Sequence, residues 1–140
     1  MTTDPRVSNS HKLIIKAAKS GNTAAARQLL EADRSLVEAR DSDGSTPLHC
    51  AAWKGHANVA AILLARGADH TIENENTHWG GTPLHAAAHG NQKAVAELLI
   101  RHGADINAVS FNGRTPLEET SIHNATAVAK LLKQHGVADG

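Results

Sequence analysis

The sequence predicts an all-α solenoid of four stacked helix pairs, and two observations carry that prediction. First, one stretch recurs along the chain. TPLHCAAWKGHANVAAILLARGAD starts at Thr46, TPLHAAAHGNQKAVAELLIRHGAD at Thr82 and TPLEETSIHNATAVAKLLKQHGVAD at Thr115, with a weaker copy, KLIIKAAKSGNTAAARQLLEAD, from Lys12. The starts lie 34, 36 and 33 residues apart. A fixed period in this range marks a repeat array. Second, the apolar residues inside each copy recur at i, i+3 and i+4, the spacing of a helix and not of a strand.

Each copy divides into two short helices. Thr46, Thr82 and Thr115 are N-caps, whose hydroxyls accept from a free first-turn N–H. Pro47, Pro83 and Pro116 follow at the first helical position, where a missing N–H costs nothing. The first helices are expected near 12–20, 47–54, 83–90 and 116–123. They stop at Gly21, Gly55, Asn91 and Asn124, residue types that tolerate the left-handed conformation closing a helix. Gly90 falls one place too early for that role. The second helices carry the stripes Val59, Ile62, Leu63; Val95, Leu98, Leu99; and Val128, Leu131, Leu132. Gly67, Gly103 and Gly136 end them, and DSDG (41–44), HWGG (78–81) and SFNG (110–113) read as turns. The pairs Ala17–Ala18, Ala51–Ala52 and Ala87–Ala88 are small enough for neighbouring helices to approach closely.

Composition narrows the function classes. A chain of 140 residues with 41% hydrophobic content suits one domain. Fourteen basic and fourteen acidic residues give zero formal charge, and no long basic run suggests a nucleic-acid binder. No apolar stretch approaches the ~20 residues of a membrane span, and the opening MTTDPRVSNSHK has no signal-peptide apolar core. The lone Cys50 cannot form an internal disulfide, which fits a reducing, cytoplasmic setting.

The pattern resembles the ankyrin repeat: TPLH twice, TPLE once, a period near 33, and G-A-D after the second helix of the two central copies. The resemblance covers nearly the whole chain. It divides the single domain into an N-terminal capping repeat (8–40), two full repeats (41–76 and 77–109) and a C-terminal capping repeat (110–140). End repeats need polar outer faces, and the ends here are altered accordingly. Gln28 stands where Ile62 and Leu98 do, Lys133 where Leu64 and Ile100 do, and Thr120–Ser121 replace the Ala pair. Glu118 replaces the histidine and makes T-x-x-E, a capping box.

The ten histidines invite a metal or catalytic reading. The resemblance implies instead that His49 and His85 hydrogen-bond within their turns and bridge repeats. His85 and His89 have an i, i+4 zinc spacing, but no third ligand has the spacing of a known site. His70, His78, His102 and His135 read as solvated, and Cys50 as a small core residue. Gly80–Gly81 is a turn and not a phosphate loop, and no nucleophile motif is present. No cofactor and no metal are expected, and a histidine-based enzyme or metal site is the weakest reading. Asn107, in GADINA, matches the position that oxygen-dependent asparaginyl hydroxylases modify in some ankyrin proteins, although nearly every such repeat has this Asn for its turn.

In the resemblance the inter-repeat turns project as short β-hairpin-like fingers, and the first helices line a concave groove. Variable, partner-facing places are counted from the TPLH threonine. They are Ser42, Asp43, Ser45, Trp53 and Lys54; His78, Trp79, Gly81, His89 and Gly90; and Phe111, Asn112, Arg114, Ile122 and His123, with Lys19 and Ser20 in the first repeat. Every aromatic residue of the chain falls in this set. Large exposed apolar groups on one face mark contact surfaces, and Trp is enriched in binding hot spots. The 36-residue spacing adds three residues between Gly67 and Thr82, so the third finger should be longer, with Trp79 near its end. The expectation is a non-enzymatic, monomeric protein-binding module without a nucleic-acid or membrane partner. Trp53, Trp79 and Phe111 would be its anchors, and Lys54, Asp43 and Arg114 would set its polarity. Recognition of a small ligand or nucleotide by stacking on the same aromatics is the alternative.

Overall fold

The computed structural model describes residues 5–75, 80–122 and 124–136, with side chains from Asn9 onward. Among them are eight α-helices in four antiparallel pairs: α1 (Pro5–Ser20) with α2 (Thr23–Ala32), α3 (Pro47–Lys54) with α4 (Ala57–Ala65), α5 (Pro83–His89) with α6 (Lys93–Arg101), and α7 (Pro116–Ile122) with α8 (Thr126–Gln134). A 3-10 turn, Arg34–Glu38, links the first pair to the second. The odd-numbered helices stack in one row, α1 on α3 on α5 on α7, and the even-numbered ones in another. The one large departure from the expected boundaries is α1, which begins at Pro5 and not near 12. No Gly or Pro interrupts residues 6–12, so the helix runs back to a proline at its first position.

The predicted stop signals act as expected. Asn91 and Asn124 take φ values of 55° and 54°, the left-handed region that asparagine tolerates, while Gly90 keeps a right-handed φ of −85°. At the end of α4 the Gly67 N–H reaches the Leu64 carbonyl and the Ala68 N–H the Leu63 carbonyl, a Schellman closure that needs Gly67 at φ 90°. Thr115 and Glu118 form the predicted capping box: the Glu118 N–H donates to Thr115 Oγ1 at 3.2 Å, and the Thr115 N–H to Glu118 Oε1 at 3.2 Å.

Between the two rows lies one core. Ala18, Ala51, Ala52, Ala87 and Ala88 are fully buried where first helices meet, and Val59, Leu63, Val95, Leu99, Val128 and Leu132 seal the second row. Leu98, placed on the same stripe by its spacing, is only partly covered, because it sits at the margin of the stripe that Leu99 centres.

Gly90 has a reason that helix-end rules do not reveal. A Cβ built there would lie 2.5 Å from the Trp53 backbone oxygen of α3. Local propensity would favour Ala over Gly by roughly 0.5–1 kcal/mol. The close approach reverses the sign: Gly90→Ala should destabilise the chain by about 1–3 kcal/mol, the usual penalty of overpacking. Urea unfolding checks this, and a variant as stable as the parent would mean that α3 and α5 separate freely.

The expected fingers are tight turns, with no strand among the described residues. The Asp41 N–H donates to the Ser45 carbonyl at 2.9 Å, and the Ser110 N–H to the Arg114 carbonyl at 2.8 Å. The equivalent closure of the third finger joins the Asn74 N–H to the Gly81 carbonyl at 3.0 Å, so the three extra residues fall inside that loop. Asn74 anchors its base. The side chain is buried, donates through Nδ2 to Ser45 Oγ at 2.9 Å and accepts the Gly81 N–H at 2.8 Å. Successive fingers are joined: the Glu75 N–H donates to the Asp43 carbonyl at 2.7 Å, and the Phe111 N–H to Glu73 Oε1 at 3.0 Å.

Candidate functional site

The two TPLH histidines are fully buried and serve as clasps between repeats. His49 Nδ1 accepts the Thr46 N–H at 3.2 Å, and Nε2 lies 2.8 Å from the Gly81 carbonyl of the next finger. His85 repeats the arrangement, with the Thr82 N–H at 3.1 Å and the Arg114 carbonyl at 2.8 Å. A carbonyl can only accept, so Nε2 carries the proton in both rings and Nδ1 is the acceptor. Each ring is therefore neutral, and burial holds it so: His49 is lowered from 6.5 to about 4, and His85 is lowered for the same reason. Rings with both nitrogens committed cannot ligate a metal, which removes His85 from the His85/His89 zinc spacing. Among the described residues no three His, Cys, Asp or Glu side chains are grouped to hold a metal ion.

A second bridge recurs one turn away. The last carbonyls of a helix lack intrahelical donors. His56 Nε2 lies 3.0 Å from the Lys19 carbonyl at the end of α1, and Gln92 Nε2 donates to the Trp53 carbonyl at the end of α3 at 3.2 Å. His56 and Gln92 occupy equivalent places, so the start of α4 caps α1 and the start of α6 caps α3; Ala125, at the same place before α8, has no side-chain donor. Cys50 sits in the core, and burial pushes its thiol up to about 12, far from a reactive thiolate.

Most of the predicted partner-facing residues are accessible. Asp43, Lys54, Phe111, Asn112 and Ile122 are exposed, and Trp53, His89 and Arg114 are partly so. Phe111 and Ile122 each keep 53% of their surface in water, a high value for large apolar side chains. Trp53 packs partly against the core, and the Lys54 ammonium lies 4.6 Å from its ring centroid, a cation–π distance. One face of that indole is thus occupied, which disfavours base stacking there. Ser45 and Gly81, counted among the variable places, are buried at the bases of their fingers and face no partner. His78, Trp79 and His123 lie outside the described residues. Asn107 is exposed, and its N–H donates to Asp105 Oδ1 at 2.9 Å, an Asx turn.

Glu119 escaped the sequence reading. It stands where Cys50 and Ala86 stand in their repeats, a place for small core residues, and it is 1% exposed. Its Oε1 lies 3.2 Å from His89 Nδ1 and its Oε2 3.4 Å from Arg114 Nη1. Two of the predicted contact residues are thereby tied to one buried carboxylate, which sets their directions. A carboxylate in a core register of α7 was the available signal. It is readable only once burial at that place is known.

No membrane-crossing segment appears in the fold: among the described residues no helix is long and apolar enough. The family model described as "Ankyrin repeats (3 copies)" matches residues 2–74 and 71–139. Over 57 residues the chain is 40% identical to the human Ankyrin repeat domain-containing protein 49, covering 41% of this chain and 24% of that protein. Over 63 residues it is 48% identical to Serine/threonine-protein kinase VIK of Arabidopsis thaliana, covering 45% of this chain and 14% of that one. Over 55 residues it is 44% identical to the mouse 60 kDa lysophospholipase, covering 39% of this chain and 10% of that enzyme. The matched part is a minor share of each relative, and the names differ widely in activity.

Proposed function

Since the chain belongs to the ankyrin-repeat family, we propose that it is a non-enzymatic module that seats a protein partner on its concave face and finger tips. The observation that carries this reading is the exposure of Phe111 and Ile122 at equivalent-place positions of a finger and a first helix, while the core positions of the same repeats are sealed. Trp53 and Trp79 complete the proposed anchors. Asp43, Lys54, Asn112, Arg114, His78, His89 and His123 supply the polar rim that orients a partner. The family's ordinary role in protein interactions supports the reading, as does the bonding of His49 and His85, whose two ring nitrogens are both committed to backbone partners and so leave no free nitrogen for acid–base work. A monomeric, cytoplasmic protein fits it too, with its one thiol buried.

The test separates anchors from core. Phe111→Ala removes a mostly exposed ring and should change stability by less than about 0.5 kcal/mol. Trp79→Ala should stay within about 1 kcal/mol. Each should weaken partner binding by about 2 kcal/mol if the residue is a hot spot. Titration of the partner against parent and variants, beside urea unfolding of each, checks both halves. Unchanged affinity in a Trp53→Ala/Trp79→Ala/Phe111→Ala variant that still folds would end the proposal for this face.

A further inference from the structure

The formal charge of zero conceals an uneven distribution. Lys12, Lys16 and Lys19 recur at i, i+4 and i+7 on α1, one helical face. That face lines a concave groove of about 680 Å³, to which Arg40 and Lys54 also contribute. Among the described residues the only carboxylate lining it is Asp41, whose Oδ1 is already engaged by the N–H groups of Asp43 at 2.9 Å and Ser45 at 3.0 Å. Among the described residues none of these five cations has a carboxylate within ion-pair distance. The rest of the chain then holds nine basic against thirteen acidic residues. Like charges gathered around one concavity repel each other, and a concave low-dielectric wall concentrates their field. The sequence shows only Lys54 and Arg114 beside the aromatics. Folding adds the α1 lysines and Arg40.

Resting on the protein-binding reading above, we propose that this groove is the docking site for a short acidic peptide segment of the partner. The length fits. Seven residues of helix carry the lysines over about 10 Å, and extended chain at about 3.3 Å per residue crosses that distance in three or four residues. Alternate carboxylates of such a segment lie on one side and meet the ammonium groups. Ile15 and the methylene stems of the lysines give an apolar floor for a side chain between them. The charge balance selects a short segment over a long polyanion. Beyond a screening length of about 8 Å, a nucleic acid strand or an anionic membrane meets the net negative remainder of the molecule, whereas a segment confined to the groove does not.

The experiment selects peptides of about 12 residues from a random displayed library against the full chain. It then measures the best binders by fluorescence anisotropy. The selected sequences should be enriched in Asp and Glu, and their affinity should fall as salt rises from about 50 to about 500 mM. The exposed pair Lys16→Glu/Lys19→Glu should weaken them at least about tenfold, a change of about 1.4 kcal/mol. Lys16→Gln/Lys19→Gln should have a smaller effect, and both variants should keep the parent's helicity and melting temperature. Selected peptides without acidic enrichment, or acidic ones indifferent to the charge reversal, overturn the inference. If those peptides are lost in Phe111→Ala or Trp53→Ala, the interaction reading survives without it. If neither set of variants affects any selected peptide, both fail. A single-stranded oligonucleotide or phosphatidylserine vesicles binding more tightly than the best peptide would also overturn the assignment.

Discussion

Leu99→Ala should lower the free energy of unfolding by about 2–5 kcal/mol, the range for deleting a fully buried leucine side chain. Leu99 is sealed on α6, which packs against α5 in its own pair and against α4 and α8 on either side. Removal of its side chain leaves a void in the sealed core, and a solenoid of short helices can relax around it only by giving up inter-repeat contacts. Leu98→Ala, at the half-covered neighbouring position, should cost distinctly less. Equilibrium urea unfolding of the two variants gives the comparison directly. Equal losses would mean that the stripe is centred between the two residues and not on Leu99.

His49→Ala is expected to be about as damaging, at about 2–4 kcal/mol, through polar groups as well as through lost volume. It removes the acceptor of the buried Thr46 N–H and the donor to the Gly81 carbonyl, loosening the start of α3 and its link to the third finger together. The Gly81 carbonyl keeps the Asn74 N–H, so the orphaned group that matters is the Thr46 amide. The same residue makes a pH signature. Burial lowers His49 to about 4, while an unfolded histidine titrates near 6.5, so between those values the unfolded chain holds a proton that the folded chain does not. Stability is then full above about pH 6.5 and falls as pH drops through that window, by at most about 1.4 kcal/mol per pH unit for each such ring. His85, lowered by burial too, contributes in the same direction. The His49→Ala variant should therefore show a shallower decline in unfolding free energy from pH 6.5 to pH 4 than the parent. An unchanged slope would mean that His49 is not buried neutral.

Much of the fold was legible because it is written in short-range chemistry. The Thr-Pro starts, the Gly or Asn stops and the i, i+3, i+4 stripes each concern residues within one or two turns of each other. They predict eight helices and set the first helix of each later pair to within about a residue, apart from α1, where nothing in the sequence between Pro5 and Lys12 ends a helix. The extra length of the third finger was visible as a shift in period, and Asn74 shows where it enters. The interaction surface was legible in part. Exposure of Phe111 and Ile122 agrees with their repeat positions, whereas Ser45 and Gly81, chosen by the same counting, are covered by the Asn74 anchor and the His49 clasp.

The sequence by itself determined what repeats: the helix pairs, their caps and the polar ends of the array. The tertiary structure alone decided what one repeat does to the next. Gly90 is constrained by a carbonyl of α3, Glu119 directs His89 and Arg114, and Lys12, Lys16 and Lys19 join Arg40 and Lys54 around one groove. The physical reason is range. Hydrogen-bond and helix-face rules act over three or four residues, but these partners meet only when whole repeats stack, and a charge or a close approach has no meaning until the distance across that stack is set.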